Sequence, residues 1–79
     1  MPAFEPGLMT NHAIREAKRE RIPVTMIART YDDPDTRGDS SHDPDREIRT
    51  RWFGDQGVCV VVDRSDGRVV TVWRRGWKP

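Results

Sequence analysis

Gly57-Val-Cys-Val-Val-Val-Asp-Arg-Ser-Asp-Gly-Arg-Val-Val-Thr-Val-Trp-Arg-Arg75 holds the densest apolar run of the chain and its strongest turn signal. Two β-branched segments, 58–62 and 69–73, flank Asp66-Gly67, a dipeptide typical of tight hairpin turns. The stretch therefore predicts two antiparallel strands. The residues before it must either cover one face of this hairpin or extend its sheet.

Length and composition limit what the chain can be. It has 79 residues, of which 34% are hydrophobic and 34% charged. A chain of this length forms one domain that buries only about 60–65% of its unfolded surface, so its core is small. No apolar run approaches the roughly 20 residues that span a bilayer, and no secretory signal is recognisable. Cys59 is the only cysteine, so we expect a cytoplasmic domain with no metal, no cofactor and no membrane partner.

The net charge of +1 conceals an uneven distribution. Residues 32–45 carry six Asp and one Arg, whereas residues 46–79 carry eight basic and four acidic side chains. Twelve of the 14 basic residues are Arg, which forms bidentate contacts with phosphate and carboxylate groups. A GC-rich genome would produce the same preference for Arg without any binding role.

Two helices are predicted ahead of the hairpin. Thr10 or Asn11 can cap the first helix, which extends from His12 to Arg21. Ile22-Pro23 ends its pattern, and a second helix follows from Pro23 to Tyr31. Apolar residues lie on one face of each helix: Ala13, Ile14 and Ala17 in the first, and Val24, Ile27, Ala28 and Tyr31 in the second.

The remaining segments complete the predicted architecture. Residues 32–45 contain six Asp, two Pro and one Gly and predict an acidic loop, and the alternation over 47–53 predicts a strand. We therefore expect an α+β fold with the order α-α-β-β-β, in which two helices pack on one face of a three-stranded antiparallel meander. Residues 1–9 are expected to form a flexible arm, whose Phe4 or Leu8 could dock on the body of the domain. Residues 10–75 form the domain and 76–79 a tail.

Strand register assigns the side chains to two faces. We expect Arg64 opposite Arg68, around a loop with a left-handed Gly67, which places Val62 opposite Val70 and Val60 opposite Val72. We also expect Gly54 opposite Val58, which places Trp52 beside Val60. The face toward the helices then holds Ile48, Thr50, Trp52, Val58, Val60, Val62, Val70 and Val72. The outer face holds Arg49, Arg51, Phe53, Cys59, Val61, Asp63, Val69, Thr71, Trp73 and Arg75. A one-residue slip would bring Arg49 and Arg51 into the core, which argues against it.

Two sets of residues are candidates for chemistry. His12 lies in the first turn of a helix, where the dipole favours the neutral imidazole that a general base requires. The alternative is a surface histidine without a role. On the outer face, arginines can bind phosphates and a tryptophan can stack on a base. These residues are Arg49, Arg51, Thr71, Trp73 and Arg75, and the alternative is a solvated or partner-covered sheet face.

Short motifs of the chain carry a resemblance to a known family. They are Asn11-His12-Ala13, Arg21-Ile22-Pro23, Asp33-Pro34-Asp35, Val60-Val-Val-Asp63 and Gly67-Arg-Val-Val-Thr-Val-Trp73. They look like a small bacterial and phage domain family of unknown function related to the RelE/ParE-like toxins, over about residues 10–75. The resemblance implies two N-terminal helices on a twisted antiparallel sheet and an RNA-cleaving or ribosome-directed toxin, with His12 and Thr71 at matching positions. Glu16 and Glu20 stand where such domains usually carry Arg.

Two functional hypotheses follow. The first is a toxin-like, RNA-directed domain, in its most specific form a metal-independent ribonuclease. His12 would act as acid or base, Thr71 as a hydrogen-bonding residue, and Arg51 and Arg75 as phosphate ligands, with RNA, the ribosome or an antitoxin protein as partner. The second is a non-catalytic phage or mobile-element protein that binds a host protein through its sheet face or edge strand. The valine-rich edge strand is also compatible with a homodimer.

Overall fold

A computed structural model describes residues 3–41 and 43–76 of the chain. A short 3-10 helix (Pro6–Leu8) precedes helices α1 (Asn11–Glu20) and α2 (Val24–Asp32). Four strands follow: β1 (Thr36–Asp39), β2 (Arg46–Phe53), β3 (Gln56–Asp63) and β4 (Val69–Arg75). The predicted α+β class, with two helices and an antiparallel sheet, is confirmed. The predicted tail 76–79 lies outside the described residues beyond Gly76.

The helix boundaries follow from local signals. Thr10 caps α1, since its Oγ1 accepts a hydrogen bond of 3.1 Å from the backbone N–H of Ala13. Arg21 ends α1 in the left-handed conformation, with φ of 56°. Pro23 then occupies the N-cap position of α2. Both helices differ by one residue at each end from the predicted bounds, which is within the usual variation of helix ends.

The sheet has four strands in the order β1-β2-β3-β4, so the prediction of three strands was wrong in this detail. The additional strand, β1, lies in the segment predicted as an acidic loop. All four of its residues are exposed, and backbone pairing with β2 holds it, with Thr36 opposite Thr50 and Asp39 opposite Glu47. An exposed polar strand has no hydrophobic period, so its sequence resembles that of a loop.

The register between β2 and β3 also differs from the prediction. Phe53 pairs with Gln56 across a two-residue turn, and Trp52 therefore pairs with Gly57 rather than with Val60. The shift is three positions, an odd number, so every side chain of β2 lies on the face opposite to the predicted one. Arg49, Arg51 and Phe53 consequently lie on the helix side, and Ile48, Thr50 and Trp52 on the other side.

The hairpin of β3 and β4 agrees better with the sequence pattern. Val60 pairs with Val72, and Gly67 has a left-handed φ of 74°, both as predicted. The strands then lose regular register between Val61 and Val62, so Val62 pairs with Val69 rather than with Val70. Because of this bulge, Val69 is fully buried in the core and Val70 only half-buried.

The core lies between the helices and one face of the sheet. Its buried residues are Ala13, Ala17, Ile22, Ile27, Tyr31, Val58, Val60, Val62, Val69 and Val72. Phe4, Leu8 and Met9 pack against this core, and the Phe4 ring meets the Tyr31 ring edge-on at 5.5 Å. The N-terminal segment thus docks through the residues that the sequence indicated. In the described part of the chain, no helix has the length and apolar character needed to cross a membrane.

Candidate functional site

Arg49 lies beneath α2 and not on the outer face. Its Nη1 donates a hydrogen bond of 2.7 Å to the backbone carbonyl of Tyr31, and its guanidinium carbon is 4.6 Å from the centre of the Tyr31 ring. Its Nε donates to the carboxylate of Glu47 at 2.6 Å. With only 7% of the residue exposed, Arg49 is committed to contacts within the fold. The prediction that it lies on the outer face was wrong.

Arg51 makes the same kind of contact with a carbonyl two residues further along the chain. Its Nη1 donates to the backbone carbonyl and to the carboxylate of Asp33, at 2.5 and 3.1 Å. The last carbonyls of a helix have no intrahelical partners and carry the negative end of its dipole. Arg49 and Arg51 therefore cap the C-terminal end of α2. This acceptor set explains why two arginines can face the helices without being left as unpaired charges.

Arg74 caps α1 from strand β4. Its Nε donates to the carbonyl of Glu20 at 2.7 Å, and its Nη2 donates to the carbonyl of Arg21 at 2.5 Å. Its Nη1 donates to the side-chain oxygen of Gln56 at 2.9 Å. The sequence interpretation did not single out this residue. The strand alternation contains the signal, since Arg74 follows the core residue Val72 by two positions and so shares its face.

His12 lies in the first turn of α1, as predicted, with 56% of its side chain exposed. Its Nε2 is 3.8 Å from the carboxylate of Glu16, which pairs more closely with Arg19 at 2.8 Å. The helix that carries His12 packs on one side of the sheet, whereas Thr71 lies on the other side, one residue out of phase with buried Val72. The predicted catalytic residues are thus placed on different sides of the sheet.

The face of the sheet away from the helices carries a group of side chains that we call the open sheet face. Its members form three rows across β2, β3 and β4: Trp52, Gly57 and Arg75; Thr50, Cys59 and Trp73; Ile48, Val61 and Thr71. Three of the six residues predicted as functional, Thr71, Trp73 and Arg75, belong to it. The shifted register of β2 adds Trp52, which the sequence interpretation had placed in the core.

Because Gly57 has no side chain, the indole of Trp52 can lie directly against strand β3. A Cβ atom at Gly57 would lie 3.1 Å from both Cε3 and Cζ3 of Trp52, so the six-membered ring of the indole lies over this glycine. The guanidinium of Arg75 stands 5.9 Å from the centre of the indole. Trp73 lies on the other side of β3, so two half-buried indoles flank the central strand.

The middle of the open sheet face is apolar. Thr50, Cys59 and Val61 are buried, and the Thr50 hydroxyl is satisfied by the Cys59 sulfur at 3.3 Å. Among the three rows, Arg75 is the charged residue. Indoles and arginine around a centre depleted of charge are typical of the buried core of a protein–protein interface. The composition therefore favours contact with another macromolecule over simple solvation.

A cavity of about 480 Å³ with several charged lining residues lies between the end of α2 and the β3–β4 turn. Its lining includes Arg37, Arg49 and Arg64, but these guanidinium groups are paired with carboxylates. The Asp39 carboxylate, which accepts a hydrogen bond from Arg64, raises the pKa of Arg64. The hydroxyl and backbone N–H of Ser65 lower the pKa of Asp63 at the end of β3. This balance of charge makes the cavity a poor site for an anion.

Comparison with known proteins assigns neither a family nor a function to the chain. No protein-family model, no curated protein and no solved structure matches the chain. The resemblance to RelE/ParE-like domains therefore stays a prediction. Within residues 3–41 and 43–76, no group of three His, Cys, Asp or Glu side chains is arranged to hold a metal ion. The candidate site is accordingly defined by geometry alone, as the open sheet face.

Proposed function

We propose that the protein is a non-catalytic binding module whose open sheet face docks on a partner protein. The observation that carries the proposal is the group of two half-buried indoles, Trp52 and Trp73, and the exposed Arg75 on this face. Tryptophan and arginine are the residues that most often dominate the binding energy of protein interfaces. The face is small, which is typical of a weak or transient complex or of one contact within a larger interface.

The contacts of the arginines favour binding over catalysis. Arg49 and Arg51, the predicted phosphate ligands of β2, are engaged by the end of α2. A phosphate on the open sheet face would meet Arg75 alone among the residues of its three rows. A general acid or base must also come within hydrogen-bond reach of the same substrate, about 3 Å, and His12 belongs to the helix side of the sheet.

A pair of lysine substitutions tests the proposal. Thr71→Lys places a charge in the open sheet face, where the long side chain can extend outward without unfolding the strand. Thr25→Lys places the same charge on an exposed position of α2 and serves as the matched control. Affinity capture from a bacterial lysate identifies the partner, which is then purified and titrated. We expect Thr71→Lys to weaken binding at least about tenfold and Thr25→Lys to leave it unchanged. Equal effects of the two variants would contradict the proposal.

A second candidate is the binding of single-stranded RNA to the same face, favoured by the placement of Arg75 beside Trp52. The two candidates predict opposite changes in affinity for the Thr71→Lys variant. An added lysine weakens docking of an apolar protein surface but strengthens RNA binding through phosphate contacts. Titration with a labelled oligouridylate therefore distinguishes them. Degradation of total RNA by the expressed wild type but not by His12→Ala would overturn the non-catalytic proposal.

A further inference from the structure

An apolar groove separates the two helices on the helix side of the sheet, away from the open sheet face. It encloses about 490 Å³ and is formed by α1, α2 and the N-terminal segment. We call it the helix groove. Its lining residues are Pro6, Met9, Ile14, Ala17, Lys18, Arg21, Ile22, Pro23, Val24 and Ile27.

The exposed apolar side chains of the described residues concentrate at this groove. Ile14 is 36% exposed and Val24 is 47% exposed, and these two are the exposed large hydrophobic residues within that part of the chain. Single exposed aliphatic residues are common on protein surfaces and need no explanation. Here both line one concave surface whose floor includes the buried residues Ala17, Ile22 and Ile27. The groove thus offers a continuous apolar contact.

The charge of the groove indicates what would occupy it. Its charged lining residues, Lys18 and Arg21, are both cationic, and neither forms an ion pair with another described residue. Both lie at the C-terminal end of α1, where cations also complement the helix dipole. Arg19, in contrast, points to Glu16 and forms an ion pair. An occupant with carboxylates at the edge of its apolar face would match this pattern.

We propose that the helix groove binds an amphipathic helical segment of a partner protein that carries acidic residues beside its apolar ridge. A ridge of side chains fits a concave groove between helices, which a flat membrane surface does not. The ten residues of α1 extend for about 15 Å. That length accommodates apolar anchors at positions i, i+4 and i+7 of one bound helix, which span about 10 Å.

The test uses designed peptides and the full chain. The probe is a 14-residue helical peptide with leucine at i, i+4 and i+7 and glutamate beside them, and its twin carries lysine in place of glutamate. Titration of the isotopically labelled protein is followed by NMR. We expect the glutamate peptide to shift the amide signals of the α1 and α2 residues that line the groove. We expect the lysine twin to bind about tenfold more weakly.

Two aspartate variants locate the site. Val24→Asp places a carboxylate at the groove rim, and Thr25→Asp places one at the next position, outside the lining. Both lie in the first turn of α2, where a negative charge stabilises a helix, so both variants should fold. We expect about a tenfold loss of peptide binding for Val24→Asp and no loss for Thr25→Asp. Thr71→Lys should bind the peptide normally, which separates this proposal from that for the open sheet face.

Several outcomes would overturn the proposal. These are an absence of shifts at the groove, equal binding of both peptides, and equal losses in the two aspartate variants. Sedimentation with vesicles of phosphatidylcholine and phosphatidylglycerol, lost in Val24→Asp and unaccompanied by peptide binding, would instead assign the groove to a membrane surface.

Discussion

Three arginines of the sheet, Arg49, Arg51 and Arg74, extend to the C-terminal ends of the helices. A guanidinium group buried without partners would cost several kcal/mol. These three instead donate to the carbonyls of Tyr31, Asp33, Glu20 and Arg21. An abundance of arginine, which alone would favour a phosphate-binding protein, here serves in part to join the helices to the sheet.

Adjacent arginines at the end of β4 allow a direct test of this capping role. Arg74→Met keeps much of the side-chain length but removes the hydrogen bonds to Glu20, Arg21 and Gln56. We expect the free energy of unfolding to fall by about 2 kcal/mol, because hydrogen bonds to charged groups contribute about 1.5–3 kcal/mol. Urea denaturation followed by circular dichroism measures this change. Arg75→Met, on the open sheet face, should cost only about 0.5 kcal/mol, and equal losses would argue against the cap.

The β2–β3 and β3–β4 turns have different environments, although both contain a left-handed glycine. Gly54 has φ of 66° and Gly67 has φ of 74°. A Cβ atom at Gly54 would meet nothing within 4 Å, whereas at Gly67 it would lie 3.0 Å from the hydroxyl of Tyr31. That hydroxyl donates a hydrogen bond of 2.7 Å to the carbonyl of Gly67. The β3–β4 turn is thus fixed to α2, and the β2–β3 turn is not fixed in this way.

Alanine substitutions should reveal this difference. Gly54→Ala introduces only backbone strain, for which we expect a loss of about 1 kcal/mol in the free energy of unfolding. Gly67→Ala adds displacement of the Tyr31 hydroxyl and should cost about 1 kcal/mol more. Urea denaturation measures both losses. In a Tyr31→Phe background the excess cost of Gly67→Ala should largely disappear. An unchanged excess would show that the hydroxyl is not its cause.

Sequence patterns were sufficient to predict some features of the helices and strands, but not the register of β2. The Thr10 cap and the β3 valines at positions 58, 60 and 62 were predicted correctly, because capping and alternation are local signals. The register of β2 was predicted incorrectly, because both faces of this strand mix apolar side chains with polar or charged ones. The acceptors that decide it are carbonyls at the end of α2, which adjoin β2 only in the folded chain. The site was therefore predicted in part: Thr71, Trp73 and Arg75 share a face, without Arg49 and Arg51.

Burial in the protein is centred on β3. Residues 57–62 are all buried, with the helices on one side and the two indoles on the other, whereas every residue of β1 is exposed. Segments with few buried contacts open locally at a small fraction of the global unfolding free energy. Stability should therefore decrease across the sheet from β3 toward β1.

Native-state hydrogen exchange can measure this gradient. We expect the hydrogen-bonded amides of residues 58–62 to exchange only through global unfolding. Those of β1 (Thr36–Asp39) should exchange by local opening, with a free energy lower by a few kcal/mol. Exchange followed by NMR at increasing urea distinguishes the two, because global opening depends steeply on urea and local opening does not. Equal protection of β1 and β3 would contradict the gradient.

The cap that Arg74 provides has a kinetic consequence. Its bonds to Glu20 and Arg21 join residues 54 and 53 positions apart in the chain. Closing a loop of that length costs entropy that only the assembled sheet can offset, so we expect these bonds to form late in folding. Interactions absent from the transition state act mainly on the rate of unfolding. We therefore expect Arg74 to have little effect on the rate of folding and to slow unfolding, which prolongs the lifetime of the native state.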